Sequence, residues 1–134
     1  NAPEYLDGLI ADGMYTNFYK SFANHLSTKF KQPTFPTMQV AALSFKRATG
    51  HNMKIGNIDF IDKMKKPMLF IHSKEDIYST PDMAEMLCAK IPHENKKIVW
   101  FEHGKHSHLR PTDEEKYDSA VEEFLVTYFD TAKV

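Results

Sequence analysis

Two segments of this sequence concentrate side chains that can move protons. One reads His72-Ser73-Lys74-Glu75-Asp76-Ile77-Tyr78-Ser79-Thr80-Pro81, and the other reads Glu102-His103-Gly104-Lys105-His106-Ser107-His108-Leu109. The first offers carboxylates and the second imidazoles. A neutral imidazole titrates near ~6.5, so it can take a proton from a hydroxyl at neutral pH. A carboxylate on its other ring nitrogen fixes the tautomer and steadies the imidazolium that forms. Asp76 and His106 are the pair for this task, half of a charge-relay site, if the fold brings them to one edge. Glu75 is the nearest rival and should point to solvent if Asp76 faces the imidazole.

Three histidines, His103, His106 and His108, also raise a zinc site, because imidazole is a common zinc ligand. At these offsets they lack a fourth ligand and fit no familiar zinc spacing, so neither a metal nor another cofactor is expected. His103 and His108 are read as solvent-facing or supporting groups, and His25, His51, His72 and His93 as structural or surface residues. Cys88 lies among Met83, Met86 and Leu87 and reads as a buried structural thiol rather than a nucleophile. Asp76 has a bland reading of its own, since Asp favours turns at strand ends.

The elements that must position the pair are marked along the chain. Leu9, Ile10 and Ala11, within the segment from Tyr5 to Ala11, form a short buried strand ended by the turn-prone Asp12-Gly13. Phe18, Phe22, Leu26 and Phe30 recur every four residues, the stripe of a helix that Pro33 ends. A second helix starts near Thr37, carries Met38, Ala41, Ala42 and Phe45 on one face, and stops at Gly50. Met68-Leu69-Phe70-Ile71 is a continuous apolar run, which predicts a strand covered on both faces. Thr80 as N-cap and Pro81 at the first helical position open a helix that Pro92 closes off. Ile98-Val99-Trp100-Phe101 gives the next strand. Thr112 and Glu115 have capping-box spacing ahead of a helix that buries Tyr117, Val121, Phe124, Leu125 and Tyr128.

This alternation predicts an α/β class, a three-layer sandwich with a parallel sheet. Catalytic groups in such sheets gather in the loops beyond the carboxyl ends of the strands. Asp76 and His106 follow the middle and last strands, so adjacency of those strands would place both at the same rim. Met14, Met38 and Met53 with Phe18, Phe22 and Phe45 would line an apolar acyl pocket or, the favoured reading, pack as core.

The stretch from Pro67 to Asp76, followed by a helix, a strand and Gly104-Lys105-His106-Ser107, resembles the C-terminal half of α/β-hydrolase-fold serine hydrolases. The likeness is to their small-capped esterase and peptidase-like branch, and Leu9 to Thr16 resembles the strand and loop after the nucleophile's helix there. The resemblance implies Asp76 as triad acid, His106 as general base and a small-molecule acyl substrate. It also implies cap or connecting helices over about 14–62, with the acid and histidine strands and the final helix in 63–134. The chain order, acid then histidine, matches the family. Ser73 stands where a glycine is usual, and Ser79-Thr80-Pro81 replaces the usual Val-Pro after the acid.

The family also needs Gly-x-Ser-x-Gly on a strained strand-to-helix turn, and no such pentapeptide occurs. The expectation is therefore a partial domain over 1–134, starting after the nucleophile's helix, inactive alone and paired through an exposed sheet edge with its missing half or with a second copy. The alternative is a non-catalytic α/β binding or interaction module that lacks a nucleophile.

Composition sets the outer limits. The 134 residues fit one domain, and 42% hydrophobic with 26% charged residues suits a cored globular chain rather than a disordered one. Seventeen basic against eighteen acidic residues give no footprint for nucleic acid. One cysteine excludes an internal disulfide, and no run reaches the ~20 apolar residues of a membrane span or shows the pattern of a leader, so a soluble, cytoplasmic protein is expected.

Overall fold

The computed structural model describes residues 6–129. Three strands, β1 (Leu9–Asp12), β2 (Met68–Ser73) and β3 (Lys96–Phe101), form a parallel sheet in the order β1-β2-β3. Between β1 and β2 come helices α1 (Phe18–Thr28) and α2 (Thr37–Thr49) and two short 3-10 turns, Asn57–Asp59 and Ile61–Lys63. Helix α3 (Pro81–Lys90) links β2 to β3, and α4 (Glu114–Tyr128) follows β3.

Period-two alternation of side chains on β2 divides the core in two. Met68 and Phe70 pack with Leu87 and Ile91 from the α3 side and with Ile61. Leu69 and Ile71 pack on the other face with Phe101, Leu109 and Phe124 of α4. All six residues of β2 are buried, which is why its first four, Met68 to Ile71, read as an unbroken apolar run; the buried His72 and Ser73 extend the strand beyond it. Helices thus cover both faces, and the α/β three-layer architecture is the one expected. Among the described residues, no helix is long and apolar enough to cross a membrane.

The structure adjusts three local expectations. The first strand runs from Leu9 to Asp12, one residue further than its apolar run, because pairing with Met68 through Ile71 carries the ladder onto Asp12. Tyr5, where the expected segment began, lies outside the described residues. The capping box at Thr112 does not form. Thr112 Oγ1 turns back to donate to His108 O at 2.9 Å, and Asp113 becomes the N-cap, accepting from Lys116 N at 3.0 Å. The third adjustment concerns α1, capped by Asn17 accepting from Lys20 N. Its buried residues are Ser21 and His25, while Phe18, Phe22 and Phe30 of the four-residue stripe are exposed. The mixed methionine and phenylalanine set divides likewise, with Met38 and Met53 buried as core and Phe18 and Phe22 stacked on each other outside.

Candidate active site

The parallel register ends β1, β2 and β3 at one rim, where the segment after β2 meets the segment after β3. There Asp76 and His106, thirty residues apart in sequence, are joined by a hydrogen bond from His106 Nδ1 to Asp76 Oδ2 at 2.7 Å. The Asp76 side chain is 1% exposed and that of His106 27% exposed. One partner is sealed in, and the other reaches the surface.

Asp76 is held by its own turn. Its Oδ1 accepts from the backbone N–H groups of Tyr78 at 2.8 Å and Ser79 at 3.0 Å, an Asx-turn that fixes the carboxylate plane. Two neighbours tie that turn down. Ser79 Oγ donates to Met14 O at 2.7 Å, and His72 Nε2 lies 2.7 Å from Ser79 O. His72 is therefore a buried strap within β2, a structural residue as the sequence suggested. Because Nδ1 of His106 is committed to Asp76, Nε2 is the ring nitrogen left for another partner, an arrangement that a general base would require.

Gly13 supplies the floor beneath the imidazole. Its N–H donates to Ile71 O at 3.0 Å and its φ is +67°. A Cβ at this position would lie 3.0 Å from both Cε1 and Nδ1 of His106. Glycine is needed twice over, for the left-handed backbone and for the close approach of the ring.

The remaining histidines of the loop go elsewhere. His103 Nδ1 sits 2.9 Å from Glu75 Oε1 at the surface, and this contact lowers the Glu75 carboxyl below its ordinary range. Glu75 is exposed, as expected of the rival that does not face His106. His108 is exposed as well. Among the described residues, no three His, Cys, Asp or Glu side chains gather as metal ligands would. Cys88 is half-buried against the α3-side core, and burial raises its thiol above the usual value, which suits an inert thiol.

Asp12 is the residue that sequence reasoning missed. In the sequence it reads only as half of a turn, yet its carboxylate sits at the same rim. Tyr117 Oη donates to Oδ2 at 3.3 Å, while Oδ1 is buried without a partner. Burial pushes its carboxyl above the ordinary 3.8, opposed by the Tyr117 hydrogen bond and by the nearby His106 and His72. An acid that keeps its proton to higher pH when folded makes the native state most stable at low pH, and this contribution is lost as pH rises through the shifted value. Asp12→Asn is accordingly expected to raise the melting temperature by a few degrees near neutral pH and to change it little below the ordinary carboxylate range. Thermal unfolding across that pH range checks this, and parallel curves for the two proteins would refute it.

No protein-family model matches the chain. The uncharacterized protein YqkD of Bacillus subtilis (strain 168) is 31% identical over 120 residues, covering 89% of this chain and 39% of that protein. Among solved structures, the Pyrococcus furiosus esterase Pf2001 superposes with a TM-score of 0.71 at 17% identity, over 95% of this chain and 47% of its own. The serine hydrolase CCSP0084 from Cycloclasticus zankles gives a TM-score of 0.58 at 18% identity, over 97% of this chain and 59% of its own. These likenesses show the fold: the three-stranded parallel sheet with its helices matches part of an α/β-hydrolase-fold esterase. The chain spans less than half the length of the Bacillus protein and of the Pyrococcus esterase.

Proposed function

We propose that this chain supplies the acid and the histidine of a serine hydrolase, with Asp76 orienting His106 and the serine carried by a polypeptide segment that pairs with the free edge of β1. The observation that carries this reading is the 2.7 Å contact between a buried, twice-anchored carboxylate and an imidazole that is partly open to solvent. Solved proteins with the same fold, an esterase and a serine hydrolase, support it.

The chemistry follows from which nitrogen is free. His106 Nε2 takes the hydroxyl proton as the serine oxygen attacks an acyl carbon, and Asp76 stabilises the imidazolium without taking the proton itself. The imidazolium then returns that proton to the departing alcohol or amine, leaving an acyl-serine. Water, activated by the same nitrogen, releases the acid and regenerates the serine. No redox partner or cofactor is called for. Helices α1 and α2 act as the cap, with the His25 face of α1 turned to the acid turn.

The sheet supports a serine located beyond β1. β3 and β1 flank β2, so β1 carries the edge nearest the floor of His106 at Gly13. A parallel strand added there ends at the same rim and delivers its following turn to Nε2. Without that strand the edge presents unpaired amides and pairs with a second copy instead.

The experiment is labelling with a fluorophosphonate alongside hydrolysis of p-nitrophenyl esters. A protein joining this chain to the serine-bearing segment is expected to do both, with the label on the added serine. The chain alone is expected to do neither. An ester-inactive joined protein, or a label on a serine within residues 1–134, would overturn the proposal.

A further inference from the structure

Resting on the hydrolase reading, we infer that His25 of α1 and Tyr78 of the acid turn are a positioning pair that locks the cap helix to the turn holding Asp76. The state of the cap is thereby felt by the His106–Asp76 hydrogen bond.

The first observation is what α1 buries. A helix laid on an apolar layer would turn its Phe18–Phe22 stripe inward, but this one turns Ser21 and His25 inward and leaves the phenylalanines outside. Burying an imidazole costs more than burying a phenyl ring unless its nitrogens are used, and here Nε2 is used while Nδ1 is buried without a partner. The His25 Nε2 lies 3.2 Å from Tyr78 Oη, and the two rings stack with centroids 4.1 Å apart and planes 19° apart. Phe30 closes the other side of the imidazole edge-on at 5.1 Å. Burial, with Lys29 adding to it, lowers the imidazole's pKa, which favours the neutral ring.

The second observation is where Tyr78 stands. Its backbone N–H is one of the two donors to Asp76 Oδ1, at 2.8 Å, and its ring centroid is 5.3 Å from that of His106. Tyr78 therefore touches both members of the dyad while its hydroxyl is held by the cap. Among the described residues, Tyr78–His25 is also the one side-chain hydrogen bond from α1 to residues 68–129, so it is the polar tether between that helix and the acid turn. Displacing α1 pulls on Tyr78, and Tyr78 carries that displacement into the amide that sets the carboxylate.

The coupling is measurable in this chain without the nucleophilic serine, through the downfield proton resonance of the His106–Asp76 hydrogen bond and the titration of the His106 ring protons. His25→Phe keeps a stacking ring and removes the nitrogen, and it is expected to broaden or shift that resonance and move the His106 midpoint. Tyr78→Phe, which removes only the hydroxyl, is expected to act in the same direction. His25→Gln restores a group that both donates and accepts, and it is expected to return the signal toward wild type. In the serine-bearing protein, His25→Phe should lower kcat about tenfold with a smaller change in KM, the scale of a slight misplacement of reacting groups. Folded variants whose dyad resonance and His106 titration match wild type would overturn the coupling, leaving the pair as packing. A resonance that responds as expected in a protein that hydrolyses no ester would instead uphold the coupling and sink the hydrolase reading.

Discussion

His106→Ala in a protein joining this chain to the serine-bearing segment is expected to lower kcat for ester hydrolysis by about four to six orders of magnitude, with KM nearly unchanged. The loss is large because the imidazole acts only as charge develops, so its removal spares ground-state binding. Asp76→Asn should cost about 10⁴-fold in kcat while leaving the ring in place, because the amide favours the wrong tautomer at Nδ1. The double variant should be hardly worse than His106→Ala, since the carboxylate works through the ring it orients. Glu75→Gln is the control: its carboxylate contacts the exposed His103, and its removal should change kcat less than twofold. Steady-state kinetics on a p-nitrophenyl ester checks all four. Wild-type turnover by the His106 variant would end the assignment.

Phe70→Ala is expected to cost about 3–5 kcal/mol of unfolding free energy, a large part of the ~5–15 kcal/mol that holds a domain of this kind together. Phe70 is fully buried in the middle of β2, where Met68, Leu87, Ile91 and Ile61 surround it, and the sheet cannot collapse to fill the void. Phe18→Ala should stay within about 0.5 kcal/mol, because that ring is 46% exposed. The fluorescence of the single tryptophan, Trp100 on β3, reports urea unfolding of both. A loss below about 1 kcal/mol for Phe70→Ala would mean that the α3 side of the sheet is not packed as described.

The parts of the fold that were legible in the sequence are those where one cause acts alone. The start of β2 is plain because burial on both faces makes Met68 to Ile71 continuously apolar. The start of α3 was plain because Pro81 can occupy the first helical position at no cost in hydrogen bonds. Gly50 marked the end of α2, which it closes with φ +75°. The rest was hidden where two causes compete. Thr112 carries a capping hydroxyl, but the carbonyl of His108 claims it, and Asp113 inherits the helix. The phenylalanine stripe of α1 has core periodicity, but beneath α1 lies the turn carrying Tyr78 rather than an apolar layer.

The candidate site divides in the same way. Asp76 and His106 were identifiable because residue type, position after a strand and order along the chain agree, and parallel pairing of β2 with β3 brings them together. Asp12 was not, because Asp-Gly already explains itself as a turn and nothing local shows that one carboxylate oxygen is buried beside two histidines. His25 was passed over as structural. Its sequence signal was a polar residue one position from Leu26 of the stripe, which becomes informative only once the inner face of α1 is known.

Gly13 ties the completion of the sheet to the readiness of the base. The backbone that closes the ladder through Ile71 O is also the surface on which the His106 ring rests. Folding therefore fixes the rotation of the imidazole in advance, and under the proposed function a reacting molecule would meet a base whose aim is already set.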